Sequence, residues 1–278
     1  MPLALLPDRA VVAVTGADAS SFLQGLLTCN VETLPEGEAR LGALLSPQGK
    51  VLFDFLVNRV PDGFHLDTAR DRAPDLVKRL TLYKLRAQVA VQALPLAVAA
   101  GWGAEAPSPA LRDGRLADLG WRLHTPEGEA PAAEADAAAY AAHRIGLGVP
   151  EGGADFAFGD AFPHEALMDQ LGGVDFKKGC YVGQEVVSRM QHRGTARTRI
   201  VPLVYRDGDA APSGEPVTAG ERSLGQTGSG AGARGLAMLR IDRLGEALAA
   251  GETVSAGGRA VEVEKPGFAS FAWPSIGE

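Results

Sequence analysis

Cysteine is nearly absent from this chain. Its 278 residues hold two, Cys29 and Cys180, far apart in sequence. That excludes a disulfide framework, and no CxxC or other paired spacing points to a structural zinc site, so no resident metal is expected. There is no HExxH pair and no Walker loop, and no apolar run is long enough to span a bilayer. The opening Met1-Pro2-Leu3-Ala4-Leu5-Leu6-Pro7-Asp8 is interrupted too early for a signal segment and lacks a basic start. On these grounds the expected address is cytoplasmic, without a membrane partner. Positive charge is also short: Lys plus Arg number 27 against 34 Asp plus Glu, a net charge of −7. An acidic chain is not a general nucleic-acid binder, and no direct nucleic-acid contact is expected.

What is present describes an ordinary globular protein. Hydrophobic residues make up 46% and mean hydropathy is +0.00, in a length that allows two or three compact units. Ala10 to Val14 reads as a strand. Asp18 then stands where a cap would be, before a helix bearing Phe22, Leu23, Leu26 and Leu27. Ala39 to Leu45, Lys50 to Val60 and Phe64 to Asp67 read as a meander, turned by Ser46-Pro47-Gln48-Gly49 and Pro61-Asp62-Gly63. Within it Asp54 stands between Phe53 and Phe55, and alternation alone favours a solvent-facing carboxylate. Asp71 to Tyr83 is a helix with Leu76, Val77, Leu80 and Tyr83 on one face. Ala87 to Ala93, Leu96 to Ala100 and Leu116 to His124 read as strands. Alanine density predicts a helix over Ala130 to Ala142. From Ile200 onward short apolar runs alternate with Gly, Pro and Ser turns, the pattern of a small barrel. Gly230 to Gly235 matches GxGxxG in form, but no strand leads in and no helix follows, so it reads as a hairpin loop.

The chemistry concentrates in Lys177-Lys178-Gly179-Cys180-Tyr181-Val182-Gly183-Gln184-Glu185. A thiolate is the reactive form of cysteine, and nearby cations favour it. Glycines let backbone or ligand approach closely. The run Glu185 to Met190 reads as the start of a helix, whose N-terminus would favour a thiolate further. The plain alternative is a small buried hydrophobe in a tight turn, the usual fate of a lone cysteine. A third reading, a cysteine-nucleophile hydrolase, needs a base such as His164 or His192 brought near by the fold. Downstream, Arg189, His192, Arg193, Arg197 and Arg199 form a basic cluster. It reads either as a solvated face or as an anion site.

Lys178-Gly179-Cys180-Tyr181-x-Gly183-Gln184-Glu185 resembles the signature of the folate-binding YgfZ family, relatives of the glycine-cleavage T-protein and of a mitochondrial iron–sulfur assembly factor. Phe22-Leu23-Gln24-Gly25 with Thr28, Gly42 to Leu56, Arg144 to Gly148 and Leu171 to Glu185 resemble further family blocks in order. The resemblance implies an α+β, T-protein-like three-domain arrangement around a central channel, with a small C-terminal β-barrel. The implied domains are residues 1–45 with 142–198, an inserted 46–141, and a barrel at 199–278. It also implies tetrahydrofolate as ligand. The implied role is accessory, supporting iron–sulfur cluster assembly or repair with client or assembly proteins as partners, among them a radical tRNA-modifying enzyme. On this reading Cys180, Lys178 and Gln184 carry the chemistry. Asp54, Glu165, Arg193, Gly179 and Tyr181 would contact the ligand. The alternative function is a folate-dependent aminomethyl or one-carbon transferase. Two departures argue against it. The T-protein's Asp-Asp pair is here Phe53-Asp54, and its Arg-x-Glu-x-Gly block is Arg144-Ile145-Gly146-Leu147-Gly148, with glycine in place of the pterin-holding glutamate.

Overall fold

The computed structural model describes residues 2–194 and 196–274. The chain divides into two compact units, one of residues 1–140 with 171–186, the other of residues 141–170 with 187–278. The implied boundary between residues 45 and 46 falls inside a hairpin whose strands pair from Arg40↔Val57 to Leu45↔Val51.

The first unit runs β1 Leu3–Leu5, β2 Arg9–Thr15, α1 Ala19–Gln24, β3 Glu38–Leu45, β4 Val51–Val60, β5 Gly63–Ala69, α2 Ala73–Tyr83, β6 Ala90–Leu94, β7 Leu96–Gly101, β8 Leu111–Asp113 and β9 Trp121–Pro126. These strands form one sheet in the order β1-β7-β9-β8-β3-β4-β5-β2-β6. Alternation decides its faces. Phe53, Phe55 and Val57 of β4 join Val12 and Val14 of β2 and Phe64 and Leu66 of β5 on one face. Leu23 of α1 and Leu76 and Leu80 of α2 pack onto it. The other face carries Val11, which shares a second core with Val98, Ala100 and Tyr140, and β2 lies against β7. Asp67 is buried on this face. Arg9 Nε donates to it at 2.8 Å and Arg122 Nε stands 3.5 Å away. Burial alone would raise its carboxyl; Arg9, His124 and Arg122 instead hold it well below the usual carboxylate range.

The helix α3 spans Ala137–Gly146, starting seven residues later than alanine density predicts. Tertiary pairing outweighs propensity there: Ala135 bridges to Ala4, and the N–H groups of Glu134 and Ala135 donate to Leu3 O. Asp136 then caps the helix by accepting from Ala139 N at 2.8 Å. Asp18 does not cap α1; its carboxylate accepts from Gln88 N at 2.7 Å. The expected strand from Leu116 begins only at Trp121, after a 3₁₀ turn over Ala117–Leu119.

The second unit continues through α4 Gln184–Arg193, which begins in the first, to β10 Thr198–Tyr205, β11 Pro216–Ala219, β12 Arg222–Ala231, β13 Arg234–Arg240, α5 Ile241–Ala249, β14 Val254–Ala256 and β15 Arg259–Val263. The six strands close a barrel in the order β10-β13-β12-β11-β14-β15. Gly230 to Gly235 is the β12–β13 hairpin, with Ala231 paired to Arg234. Arg144 is the polar hub of this unit. It is buried, donates to Val149 O at 2.6 Å and Asp155 Oδ2 at 2.8 Å, and reaches Ser229 Oγ at 3.1 Å.

Candidate functional site

Thr28, Cys29 and Asn30 lie between β3 and the stretch that leads into the cysteine loop. Thr28 is fully buried; its hydroxyl donates to Gly173 O at 2.6 Å and accepts from Ala43 N at 2.9 Å, while its own carbonyl accepts from Asp175 N at 2.9 Å. Asp175 opens the loop as a local cap. Its carboxylate accepts from Lys177 N at 2.7 Å and Lys178 N at 3.1 Å, and from the Asn30 side chain. Burial would raise this carboxyl, but those donors and the Lys178 charge outweigh it and keep it below the ordinary value.

Lys178 fastens one end of the loop. Its ammonium is buried and donates to Leu27 O at 2.6 Å and Cys29 O at 2.8 Å. Gly183 fastens the other, immediately before α4. Its φ is +79°, and a Cβ there would lie 2.5 Å from Ser46 O and 3.1 Å from Gly49 Cα. Gly49, at φ +82°, closes the β3–β4 turn, and a Cβ on it would meet Val186 at 3.1 Å. The two glycines therefore let two backbones touch where side chains would hold them apart. Tyr181 is buried beneath the loop with the Lys178 ammonium 5.4 Å from its ring centre. Its hydroxyl has no hydrogen-bond partner among the described residues. Burial, then the Asp175 charge, push this phenol up to about 12.

Between the fastened ends Gly179 and Cys180 are exposed, and a Cβ on Gly179 would meet nothing within 4 Å. The reading of Cys180 as a small buried hydrophobe is thereby overturned. That description fits Cys29, which is fully buried and whose thiol burial pushes up to about 11 against the pull of Lys178 and Arg40. The role expected of Lys178 also changes. Its ammonium is bonded to two carbonyls, and the sulfur in its electrostatic neighbourhood is that of Cys29. It is a positioning residue for the loop. Gln184 is the half-buried first residue of α4, its N–H donating to Tyr181 O at 3.3 Å.

Asp54 is half-buried on β4, on the face away from Phe53 and Phe55. Glu165, in the second unit, accepts from Phe162 N at 2.8 Å, so its carboxylate closes its own loop. Arg193 is the exposed last residue of α4. Arg199 leaves the expected basic cluster: it is buried, donates to Asp169 Oδ1 at 2.6 Å and His164 O at 2.7 Å, and stacks on Phe271. His164 is buried too, its Nε2 3.1 Å from Gln191 Oε1, and burial pushes its pKa down. Its ring is committed to structure, which removes it as the base that a thiol hydrolase would need. Gly146 is exposed, with open space where a Cβ would stand, so the missing glutamate has no substitute at that position. Among the described residues no group of three or more His, Cys, Asp or Glu is placed to hold a metal ion. The sequence reading does not assign Thr28, Asn30 and Asp175 to the loop's frame, because the bonds that join them across it link residues more than 140 positions apart.

Several known proteins are similar to this chain. The iron–sulfur cluster assembly factor IBA57 of Homo sapiens, a mitochondrial protein, is 32% identical over 86% of this chain and 77% of its own length. The mitochondrial IBA57 homolog of Chaetomium globosum is 31% identical over 92% of this chain and 75% of its own. The chain belongs to the IBA57 family. The CAF17 C-terminal beta-barrel domain family matches residues 197–271, which span the closed barrel from just before β10 to Phe271. The crystal structure of the glycine cleavage system aminomethyltransferase T from Bartonella henselae superposes with a TM-score of 0.76. It covers 99% of this chain and 88% of its own at 18% identity, which establishes the T-protein-like α+β fold. The cytoplasmic expectation does not survive, since these IBA57 relatives are mitochondrial by name. Cysteine usage reports thiol conditions, which more than one compartment shares.

Proposed function

We propose that this protein is an accessory factor in iron–sulfur cluster assembly, and that Cys180 is the thiolate it offers to a cluster carried by a partner protein. The cluster is cargo here. One thiolate cannot hold it alone, because cluster sites use several. The observation that carries the reading is an exposed cysteine on a loop fastened at both ends, in a member of the IBA57 family. Fastening reduces the ordering cost of a contact between chains. The test is rescue of a cluster-dependent enzyme in a host lacking its own family member. Wild type should restore activity and Cys180→Ser should not, with both accumulating equally. Full rescue by the serine variant would sink the thiol's role, and failure of wild type would sink the accessory role.

Tetrahydrofolate is the ligand we propose, on the family resemblance of the loop and its blocks. The residues fit it in part: the half-buried Asp54 is the carboxylate proposed for a pterin edge, whereas Glu165 closes its own loop and Gly146 carries none. No chemical step is assigned to the folate. Calorimetric titration with tetrahydrofolate should show binding to wild type and weaker binding in Asp54→Asn. Absence of heat in both proteins would remove folate from the account. Gly146 also leaves the aminomethyl-transfer alternative without its glutamate.

A further inference from the structure

The C-terminal end of α2 carries a feature that the cysteine loop does not explain. Leu82 and Leu85 are 64% and 88% exposed, and they are the exposed large hydrophobic residues among those described. Leu85 is also held at φ +45°, a left-handed conformation that costs a leucine energy. The turn that imposes it is well tied. Ala87 N donates to Lys84 O at 2.6 Å, Lys84 N to Leu80 O at 3.1 Å, and Lys84 Nζ to Val89 O at 3.2 Å. The leucine is therefore presented on a rigid knob, projecting from the end of a helix whose opposite stripe, Leu76 and Leu80, is packed in the core.

Around the knob the charge runs against the rest of the molecule. Residues 70–86 contain Arg70, Arg72, Lys78, Arg79, Lys84 and Arg86 against only Asp71 and Asp75, in a chain of net charge −7. Helical spacing puts Asp75, Lys78, Arg79 and Leu82 on one stripe of α2, and the exposed Arg86 follows Leu85 in the turn beyond its end. A groove of about 330 Å³ runs along that stripe between Arg72, Lys78, Arg79 and Leu82, with Phe53 as its floor. Arg72 stacks over Phe53 at 5.1 Å. The combination is two protruding aliphatic side chains, a ring of cations and a shallow cationic groove.

We infer that the end of α2 is a peripheral docking surface for an anionic phospholipid membrane, with Leu82 and Leu85 entering the interface and Lys78, Arg79 and Arg86 meeting lipid phosphates. Three features favour lipid over a protein partner. The anchors are aliphatic and convex, whereas protein hot spots are mostly Trp, Tyr and Arg in pockets. Lysine, depleted at protein interfaces, is frequent beside anionic leaflets. An acidic protein approaching an anionic surface also needs a local cationic face to overcome repulsion. No helix among the described residues is long and apolar enough to cross a membrane, so the contact proposed is peripheral.

The test is co-sedimentation of the full chain with vesicles of phosphatidylcholine containing phosphatidylglycerol, beside vesicles of phosphatidylcholine alone. Partition onto the anionic vesicles should be roughly tenfold or more higher, and should fall as salt shortens the screening length. Leu82→Ser with Leu85→Ser, and separately Lys78→Glu with Arg79→Glu, should each cut it by roughly tenfold while leaving circular dichroism unchanged. A control with the exposed Arg206→Glu and Arg234→Glu changes net charge equally and should bind like wild type. Equal partition onto both vesicle types, undiminished binding by either α2 variant, or an equal loss in the control would overturn the assignment. Absence of any vesicle binding would also overturn it, and would leave the knob as a contact for protein.

Discussion

The two cysteines show how one residue type takes opposite roles by placement. Cys29 is sealed behind β3, and Lys178 bonds its carbonyl; Cys180 stands in the open three residues before Gly183. Access, together with thiolate content, governs thiol reactivity. A neutral disulfide reagent such as dithiodipyridine should therefore titrate one thiol rapidly in the folded protein and the second only in denaturant. Cys180→Ser should remove the fast phase alone. A fast phase that survived this substitution would mean that Cys29 is not sealed. The feature that separates the two is two residues away from Cys180. Lys178 reads in sequence as a cation for its neighbouring thiol. Its side chain turns inward instead, because two carbonyls otherwise left without donors can be satisfied by one ammonium.

At the scale of elements, the site depends on two turns that touch. The β3–β4 turn and the entry to α4 meet through Gly49 and Gly183, both left-handed, the first with tight space for a Cβ and the second with none. Gly183→Ala should destabilise by about 1–3 kcal/mol, since the added carbon would lie 2.5 Å from Ser46 O and the backbone would be strained. Gly179→Ala, four residues earlier in space a Cβ can fill, should stay within about 0.5 kcal/mol of wild type. Urea denaturation of the two variants tests the contrast. Hydrogen exchange should show the loosening in the first only, around Cys180. Equal effects would mean that the loop is not fastened at Gly183.

For the whole molecule, the buried titratable groups set a window of stability. His164 is kept neutral by burial, so its contribution is lost as pH falls below its ordinary 6.5, where the unfolded chain binds the extra proton. The lowered carboxyls of Asp113 and Asp175 act further down, with stability present above 3.8 and lost below it. Cys29 has the opposite sign. Its folded value is raised, so the contribution is intact below 9.0 and is lost as pH rises through about 11. Tyr181 follows from 10.0 through about 12. The melting temperature should therefore be flat between about 6.5 and 9 and fall on both sides. His164→Gln should lessen the fall near 6.5 without moving the alkaline limb, leaving the share of His65, which burial and the His124 charge also hold below its ordinary value. An unchanged acid limb in that variant would show that His164 is not the group responsible.

The hydrophobic alternation of β2 to β5, the face of α2 and the barrel pattern after residue 200 are local signals, and each predicted its element because burial imposes the period. The loop around Cys180 was legible for the same reason, as residue types crowded into a few positions. Alanine density misplaced the start of α3, where pairing with the β1 segment outcompeted helix propensity. Local pattern reaches as far as the barrel and the crowding of lysine, glycine and amide around Cys180, while the α+β class rests on the family resemblance. Folding decides which cysteine is sealed and which is exposed, that Lys178 is an anchor, that Arg199 and Glu165 are committed within the second unit, and that Thr28 and Asp175 frame the loop. Those outcomes depend on hydrogen bonds between residues far apart in the chain, and no local pattern encodes which distant carbonyl or carboxylate a polar group will find.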